Sequence, residues 1–509
     1  MKGLNKEKIS LLVIIVVIAI GFGAIVCADI FHYTYHLNAD IASEGVLARL
    51  IWESKEWVPR SWYVAAETRV FDTANLAALL YGISRNMVFS MGLSCVLLSV
   101  GILASGYYLT SCLKLQPVSR ALFLLVCVIL PNNFMILELM YLYASYYAPH
   151  TIVLFITLGI YAKGLEGKFS LPAAFTAILL EFMLGVQSVR GILIIAGPVM
   201  AVEVFRNLYL FYCKRRPSKG DIRLLIWSIL LVAAGFLGGL LPFSIGQDIS
   251  RNIRKAPQKL WDQILPDIFK AIGFQDARGI EGVFLAGIYA ILVVGICILL
   301  IKLFRKQKIS AKEWILMVLV AGPMAAAFIL TFTTVGSSGR YFYGFILAAA
   351  LAVALLWERK NDLLRYGCMI LLWGIFILHF NKVYAPVLQS EEPPRNDISR
   401  VVEYLEGKGY EQGYATFLQA NTMTMYANGR IRVAAVDQPA RMNVCKWMTS
   451  TDWYVPNMDF EEKTAYIVTE HELEGFQSFL EEHKDTVWEE TKIGNYYIYG
   501  SDYNYSTLE

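Results

Sequence analysis

Eleven apolar runs dominate this chain, and each is close to the length that crosses a bilayer as a helix, about 20 mostly apolar residues. They are approximately Ser10–Ala28, Met87–Thr110, Ala121–Ile136, Tyr147–Ala162, Leu171–Val186, Gly191–Phe205, Leu224–Phe243, Val283–Phe304, Trp314–Val335, Tyr341–Trp357 and Leu364–Phe380. The expected fold is therefore mainly α, a polytopic membrane helical bundle of about eleven spans. Composition agrees, with 56% hydrophobic and only 17% charged residues in 509, against about 25% charged in soluble domains. A soluble enzyme, a disordered regulator and a nucleic-acid binder are excluded on these grounds. The first run follows Lys2, Lys6 and Lys8 as a signal peptide would. It is longer than a usual apolar core and lacks a small-x-small cleavage site near Cys27, so it reads as an uncleaved anchor. Seven of the eight cysteines lie in or beside apolar runs; Cys445 alone lies in the polar tail, where it has no disulfide partner.

Charge tests the count. With the N-terminus in the cytoplasm, the cytoplasmic segments and adjoining span ends hold 21 Lys and Arg, whereas the three short external connections hold only Arg190 and Arg340. A missed or extra span would scramble that alternation. Two longer segments then fall outside, 29–86 and 246–282, together with the tail. The tail from Ala385 carries 21 Asp and Glu against 10 Lys and Arg, net −11, and the remainder is net +14. The chain therefore divides into a membrane domain, 1–384, and an external C-terminal domain, 385–509, in which alternating helix and strand patterns after Pro393-Pro394 predict a small α/β module. Within it a helix is expected near 398–406 and strands at 414–418, 464–469 and 495–499, with a hairpin over 424–436 turned by Asn428-Gly429.

The first external loop holds the most chemistry. Val46, Leu47, Leu50 and Ile51 give 41–53 the spacing of an amphipathic helix on the membrane surface, with Asp40 where its N-cap belongs and Glu44 in its first turn. A second apolar helix follows from about Asp72 to Ser84. Asp40 is either a cap or a carboxylate held at the outer interface, able to take a proton from an acceptor hydroxyl. Glu67 and Arg69 follow, partners if they lie on one face.

N-A-D-I-A-S-E-G-V-L-A from Asn38, S-W-Y-V-A-A-E-T-R-V from Ser61 and G-Y-A-T-F-L-Q-A-N from Gly413, set within this architecture, resemble a group of bacterial membrane proteins of the GT-C glycosyltransferase type. That superfamily includes protein O-mannosyltransferases and the bacterial aminoarabinose transferase of lipid A. The resemblance implies transfer of a sugar from a polyprenyl-phosphate carrier to a glycan, lipid or protein acceptor of the cell envelope, with inversion, and Asp40 matches the superfamily's catalytic acidic position. Many members carry Asp-Glu side by side; here Ile41 follows Asp40 and the next acid is Glu44, which leaves the second role open.

Such chemistry needs cations for the lipid phosphate. Arg340 with Tyr341 and Tyr343, in S-S-G-R-Y-F-Y-G, ranks first, then Arg190 in Q-S-V-R-G, then Arg69 beside Glu67. Each arginine is equally read as an interfacial anchor. Glu181, inside the fifth run, either lines a substrate cavity or pairs with a neighbouring helix. The aromatic cluster around Tyr143, Tyr147 and His150 reads as an interfacial belt. Asp40, Glu44 and Glu67 would hold a divalent cation only if folding brings them together. The basic apolar loop 247–278 reads as surface helices on anionic headgroups, and a lid over the carrier is the alternative. The tail reads as an acceptor-docking module or a structural cap. A transporter of lipid-linked sugars and a non-enzymatic scaffold are the competing functions; the chain lacks the internal repeat of many transporters.

Overall fold

The computed structural model describes residues 6–65, 67–241, 250–359, 361–389, 397–454 and 463–505. The Pro393-Pro394 linker, the end of the seventh apolar run, the start of the second loop, Lys2, Lys360 and Ala66 lie outside them. Two compact units emerge, one of residues 1–27 and 97–388, the other of 28–96 and 389–509.

In chain order the helices through the first unit and the first loop are α1 (Lys6–Phe31), α2 (Ala39–Ser54), α3 (Thr73–Ser84), α4 (Met87–Cys112), α5 (Pro117–Ile129), α6 (Phe134–Met140), α7 (Ala148–Leu165), α8 (Leu171–Gln187), α9 (Gly197–Tyr212) and α10 (Lys219–Gly239). There follow α11 (Ala256–Lys259), α12 (Leu265–Ala271), α13 (Ile280–Phe304), α14 (Ala311–Phe332), α15 (Gly344–Trp357), α16 (Asp362–His379) and α17 (Ala385–Leu388). Among the described residues every expected apolar run is largely helical, the third being split between α5 and α6. Nine helices among the described residues are long and apolar enough to span a bilayer, while Pro117–Ile129 and Leu171–Gln187 are shorter. The chain is a multi-pass membrane protein.

The third run breaks where it was read as continuous. Leu130 still has helical backbone, but Pro131 after it has no N–H to donate back and its ring would crowd the carbonyl one turn earlier. The chain restarts when Asn133 Oδ1 accepts the N–H of Ile136 at 3.0 Å and so caps α6. The sixth run is longer than expected at its far end: a π-helical turn, Ile192–Ala196, leads directly into α9, which continues past Phe205 to Tyr212. Another π turn, Phe380–Tyr384, carries α16 on into α17, so helix continues past residue 384. Ser218–Asp221 and Ser310–Glu313 form reciprocal capping boxes at the starts of α10 and α14, closing the orphan N–H groups of those helices.

Packing in the first unit relies on small residues, as expected where lipid removes the hydrophobic drive between helices. Residues 346–354 of α15, six of them between Ala348 and Ala354 being Ala or Val, are buried on all sides. Helices α8 and α10 approach so closely that a methyl group on Gly185 would lie 2.2 Å from the carbonyl oxygen of Gly235.

The second unit is built on a five-stranded sheet of order β2-β1-β3-β5-β4, with β1 Gln412–Thr416, β2 Arg432–Val436, β3 Thr464–Thr469, β4 Glu489–Ile493 and β5 Tyr496–Ser501. Strand β1 runs parallel to β2 and β3, with Tyr414 opposite both Ala434 and Tyr466; β5 is antiparallel to β3 and β4. Helices α18 (Asp397–Lys408), α19 (Phe417–Tyr426) and α20 (Leu473–Glu482) complete the module. Period-two alternation sorts the strands' side chains: Val433, Ala435, Ala465 and Ile467 pack with Val401, Leu405 and Met423, whereas Tyr414, Tyr466 and Tyr499 pack with Phe476 and Phe479.

The expected hairpin over 424–436 is replaced by a parallel β1-α19-β2 unit. Asn428 and Gly429, with φ of 49° and 71°, do not turn a hairpin. They end α19, the Gly429 N–H donating to Thr424 O at 2.8 Å, a left-handed helix stop that Gly and Asn favour.

The first loop folds with this module. Residues 61–63 join 449–451 through Tyr63 N–H to Thr449 O at 2.8 Å and Thr451 N–H to Ser61 O at 2.7 Å. Helix α2 packs on α3 and α19 and buries Ala42, Val46, Leu47 and Ile51. Its apolar face is therefore occupied by protein, where the sequence alone suggested a membrane surface.

Candidate functional site

Two groups of functional side chains stand out, one in each unit. In the second, α2 is capped not by Asp40 but by Asn38, whose Oδ1 accepts the Ile41 N–H at 3.0 Å. Asp40 therefore sits in the first helical turn, exposed, with no side-chain hydrogen bond or ion pair among the described residues. One turn on, Glu44 is 1% exposed. Arg69 donates to it from Nη2 at 2.5 Å and from Nε at 2.9 Å. The same guanidinium reaches Glu67 at 3.2 Å and Asp72 at 3.1 Å through Nη1. Asp72 also caps α3, its Oδ1 accepting the Thr73 N–H at 2.7 Å.

Burial works against the charge on Arg69, but Glu44, Asp72 and Glu67 outweigh it and hold the guanidinium above its ordinary value. Burial pushes the Asp72 carboxyl up to about 7, with Arg69 opposing and Glu44 adding to the rise. Three buried carboxylates around one guanidinium carry surplus negative charge, and a proton on Asp72 relieves it. Arg69 occupies the place between these acids where a cation would go, and the described residues contain no group of three or more His, Cys, Asp or Glu able to hold a metal ion. Folding thus brings Glu44, Glu67 and Arg69 together and leaves Asp40 as the acid of this group that Arg69 does not hold. Asp72 was missed as a member; Glu67, Arg69 and Asp72 in E-T-R-V-F-D were a visible charge pattern, but nothing local tied them to Glu44.

In the first unit a cleft of about 500 Å³, open mouth included, runs between α7, the Ile192–Ala196 turn, α14 and the start of α15. Leu154, Leu193, Ile194, Leu319, Pro323 and Ala326 make its walls, and Arg190, Tyr341 and Tyr343 supply the polar groups. The Arg190 guanidinium lies 4.9 Å over the Tyr147 ring. That ring meets Tyr343 edge-on at 5.4 Å, and Thr151 Oγ1 is 3.4 Å from the Tyr343 hydroxyl. Tyr147 and His150 are fully buried, so they pack behind the lining residues and do not form a membrane-facing belt.

Arg340 sits on a one-turn 3₁₀ helix, Gly339–Phe342, exposed, 5.6 Å from the ring of its neighbour Tyr341. Arg190, ranked second from sequence, is the arginine that lines the cleft. The turn is pinned by the second loop: a methyl group on Gly339 would stand 3.1 Å from Asp267 O on α12. Lys259 Nζ donates to Thr333 O at 2.8 Å at the end of α14. Trp261, Ile253 and Phe269 remain exposed on that loop, the apolar side a headgroup-lying segment needs.

Glu181 is fully buried on α8 and is not among the side chains lining the cleft. Methyl groups on Gly191 and Gly235 would come within 2.9 and 3.0 Å of its Oε1, so two glycines make its berth. Neither oxygen has a hydrogen-bond partner among the described residues.

The chain, with its apolar helices, its mixed α/β module and an acid-bearing loop after the first span, is similar in fold to solved membrane proteins. Solved structures that share the fold are ArnT from Cupriavidus metallidurans in the apo state and ArnT from the same organism bound to undecaprenyl phosphate. Each is 12% identical to this chain, with a TM-score of 0.57 over 96% of this chain and 97% of the other. No family model matches the chain, and no curated protein matches it significantly in sequence.

Proposed function

We propose that this protein transfers a sugar from a polyprenyl-phosphate carrier to a cell-envelope acceptor at the outer face of the membrane, with inversion at the anomeric carbon. The cleft carries this reading: its greasy walls suit an isoprenoid, and Arg190, with Tyr341 and Tyr343, suits the phosphate attached to it. The fold shared with an ArnT bound to undecaprenyl phosphate supports the same ligand class. Arg340, exposed on the neighbouring turn, adds charge for a phosphate arriving from the headgroup region.

In the reaction an acceptor hydroxyl oxygen bonds to the anomeric carbon as the bond from that carbon to the phosphate oxygen breaks, and the electron pair leaves with the phosphate. Arg190 stabilises the departing charge. The hydroxyl proton goes to a general base, the role proposed for Asp40, which matches the superfamily's acidic position and has no side-chain hydrogen bond or ion pair among the described residues. Glu44, held by Arg69, is not free to accept that proton; Glu44, Glu67 and Arg69 set the position of α2. Glu181 is assigned no step.

The test is turnover by purified protein against a panel of labelled polyprenyl-phosphate sugars. Asp40→Asn is expected to lower kcat by about 10²–10⁴-fold, the usual contribution of a general base, with the protein folded. Arg190→Ala is expected to weaken donor binding by about 10- to 100-fold, the loss of a hydrogen bond to a charged group. Full activity of Asp40→Asn would remove it as the base, and no turnover with any donor would end the transferase reading.

A further inference from the structure

Of the three sequence segments that carry the GT-C resemblance, two lie close together in the first loop and the third far along the chain in the tail, yet within the second unit all are joined by hydrogen bonds. Arg69, from the segment at Ser61, holds Glu44 of the segment at Asn38. Asn421, the last residue of the segment at Gly413, reaches Ser43, the residue before Glu44: its Nδ2 donates to Ser43 Oγ at 2.7 Å and to Met448 O at 2.8 Å. Ser43 in turn donates to Ala39 O at 2.6 Å, so its hydroxyl bridges the C-terminal module and the turn of α2 on which Asp40 stands. Further along the same pair of helices, Arg49 Nη1 donates to Gly429 O. A methyl group on Gly45 would lie 2.8 Å from Met425 Sδ of α19, so α19 seats directly against the acid-bearing turn.

Packing alone does not account for an amide here. Asn421 is fully buried and its Oδ1 finds no donor among the described residues, which makes it costlier than an apolar residue of the same shape. Its two donated bonds are what the residue supplies. We infer that the C-terminal module positions the acids of the first loop, and that Asn421 is a positioning residue acting through Ser43 on the Asp40–Glu44 turn. The role follows from geometry within one unit and rests on the reading of Asp40 as the base.

Asn421→Ala and Ser43→Ala remove the two ends of the bridge. Each is expected to lower kcat by about tenfold or more, the scale of loss when a reacting group is displaced by a fraction of an ångström to an ångström, with KM for the lipid donor unchanged. Amide hydrogen exchange over residues 38–46 should quicken in both variants, while strands β3 and β5 keep wild-type protection. The double variant should lose little more than the worse single one, because both act through one bond. Unchanged exchange over 38–46 overturns the positioning role whatever the activity, and so does faster exchange with undiminished kcat, or additive losses in the double variant. If wild-type protein turns over no polyprenyl-phosphate sugar, the transferase reading fails by itself, and exchange and additivity of melting shifts in the same variants still decide whether the module holds the turn. Should Asn421→Ala fail to fold, Ser43→Ala alone carries the comparison.

Discussion

Arg69 divides its guanidinium among Glu44, Glu67 and Asp72, and one positive charge cannot balance three buried negative ones. Removing it would leave those carboxylates uncompensated, a change typically costing about 3–5 kcal/mol. The surplus has a pH consequence through Asp72, whose folded-state carboxyl is raised to about 7 from an ordinary value of 3.8. A raised pKa means that the folded form holds the proton more tightly than the unfolded one. The stabilisation is therefore complete below the ordinary carboxylate range and is lost as pH rises toward 7 and through it. Asp72→Asn keeps an oxygen for the Thr73 N–H and cannot ionise. Relative to wild type, its melting temperature should climb between pH 4 and pH 8; a constant difference across that range would show that Asp72 does not titrate there. At this scale the sequence was half legible. Asp40, Glu44, Glu67 and Arg69 were visible as acids and a base in one loop, but which of them would be bound up and which left to solvent depends on a contact bridging 25 residues, and no periodicity encodes that.

Helices α8 and α10 meet over glycine. A methyl group on Gly185 would be forced against Gly235 O at 2.2 Å, whereas one on Gly239 would meet Gly185 O at an ordinary 3.6 Å. Gly185→Ala is expected to destabilise the detergent-solubilised protein by about 1–3 kcal/mol, as overpacking does, and Gly239→Ala to melt near wild type; equal melting of the two variants would mean that the helices simply slide apart. The spanning helices were readable because bilayer thickness imposes a length and lipid imposes a composition. The interruption at Pro131 followed from a known rule but was hidden inside an apolar run. The region 424–436 was misread for a specific reason: Asn-Gly supplies the left-handed backbone that a tight hairpin needs and that a helix stop needs equally. Thr424 to Tyr426, read as strand, continues the helix because Met423 and Met425 are buried against neighbours on both sides, a tertiary fact.

For the whole molecule, charge bias along the chain makes one firm expectation: a periplasmic reporter fused after Tyr384 should be active and a cytoplasmic one silent, since arginine and lysine gather at the opposite ends of the spans. The reverse result would invert every assignment of inside and outside. Along the chain the membrane part and the acidic tail follow one another, as composition suggested. In space the first loop belongs with the tail: residues 28–96 and 389–509 make one compact unit, with 97–388 between them in sequence. A ribosome delivers the first of these segments long before the second, and domains ordinarily fold as their residues emerge. Here α2 can pack early against α3, but the part of its apolar face that α19 covers must wait until every intervening helix has been made. The contacts that tie the first loop to the tail are therefore among the last this unit can make during synthesis.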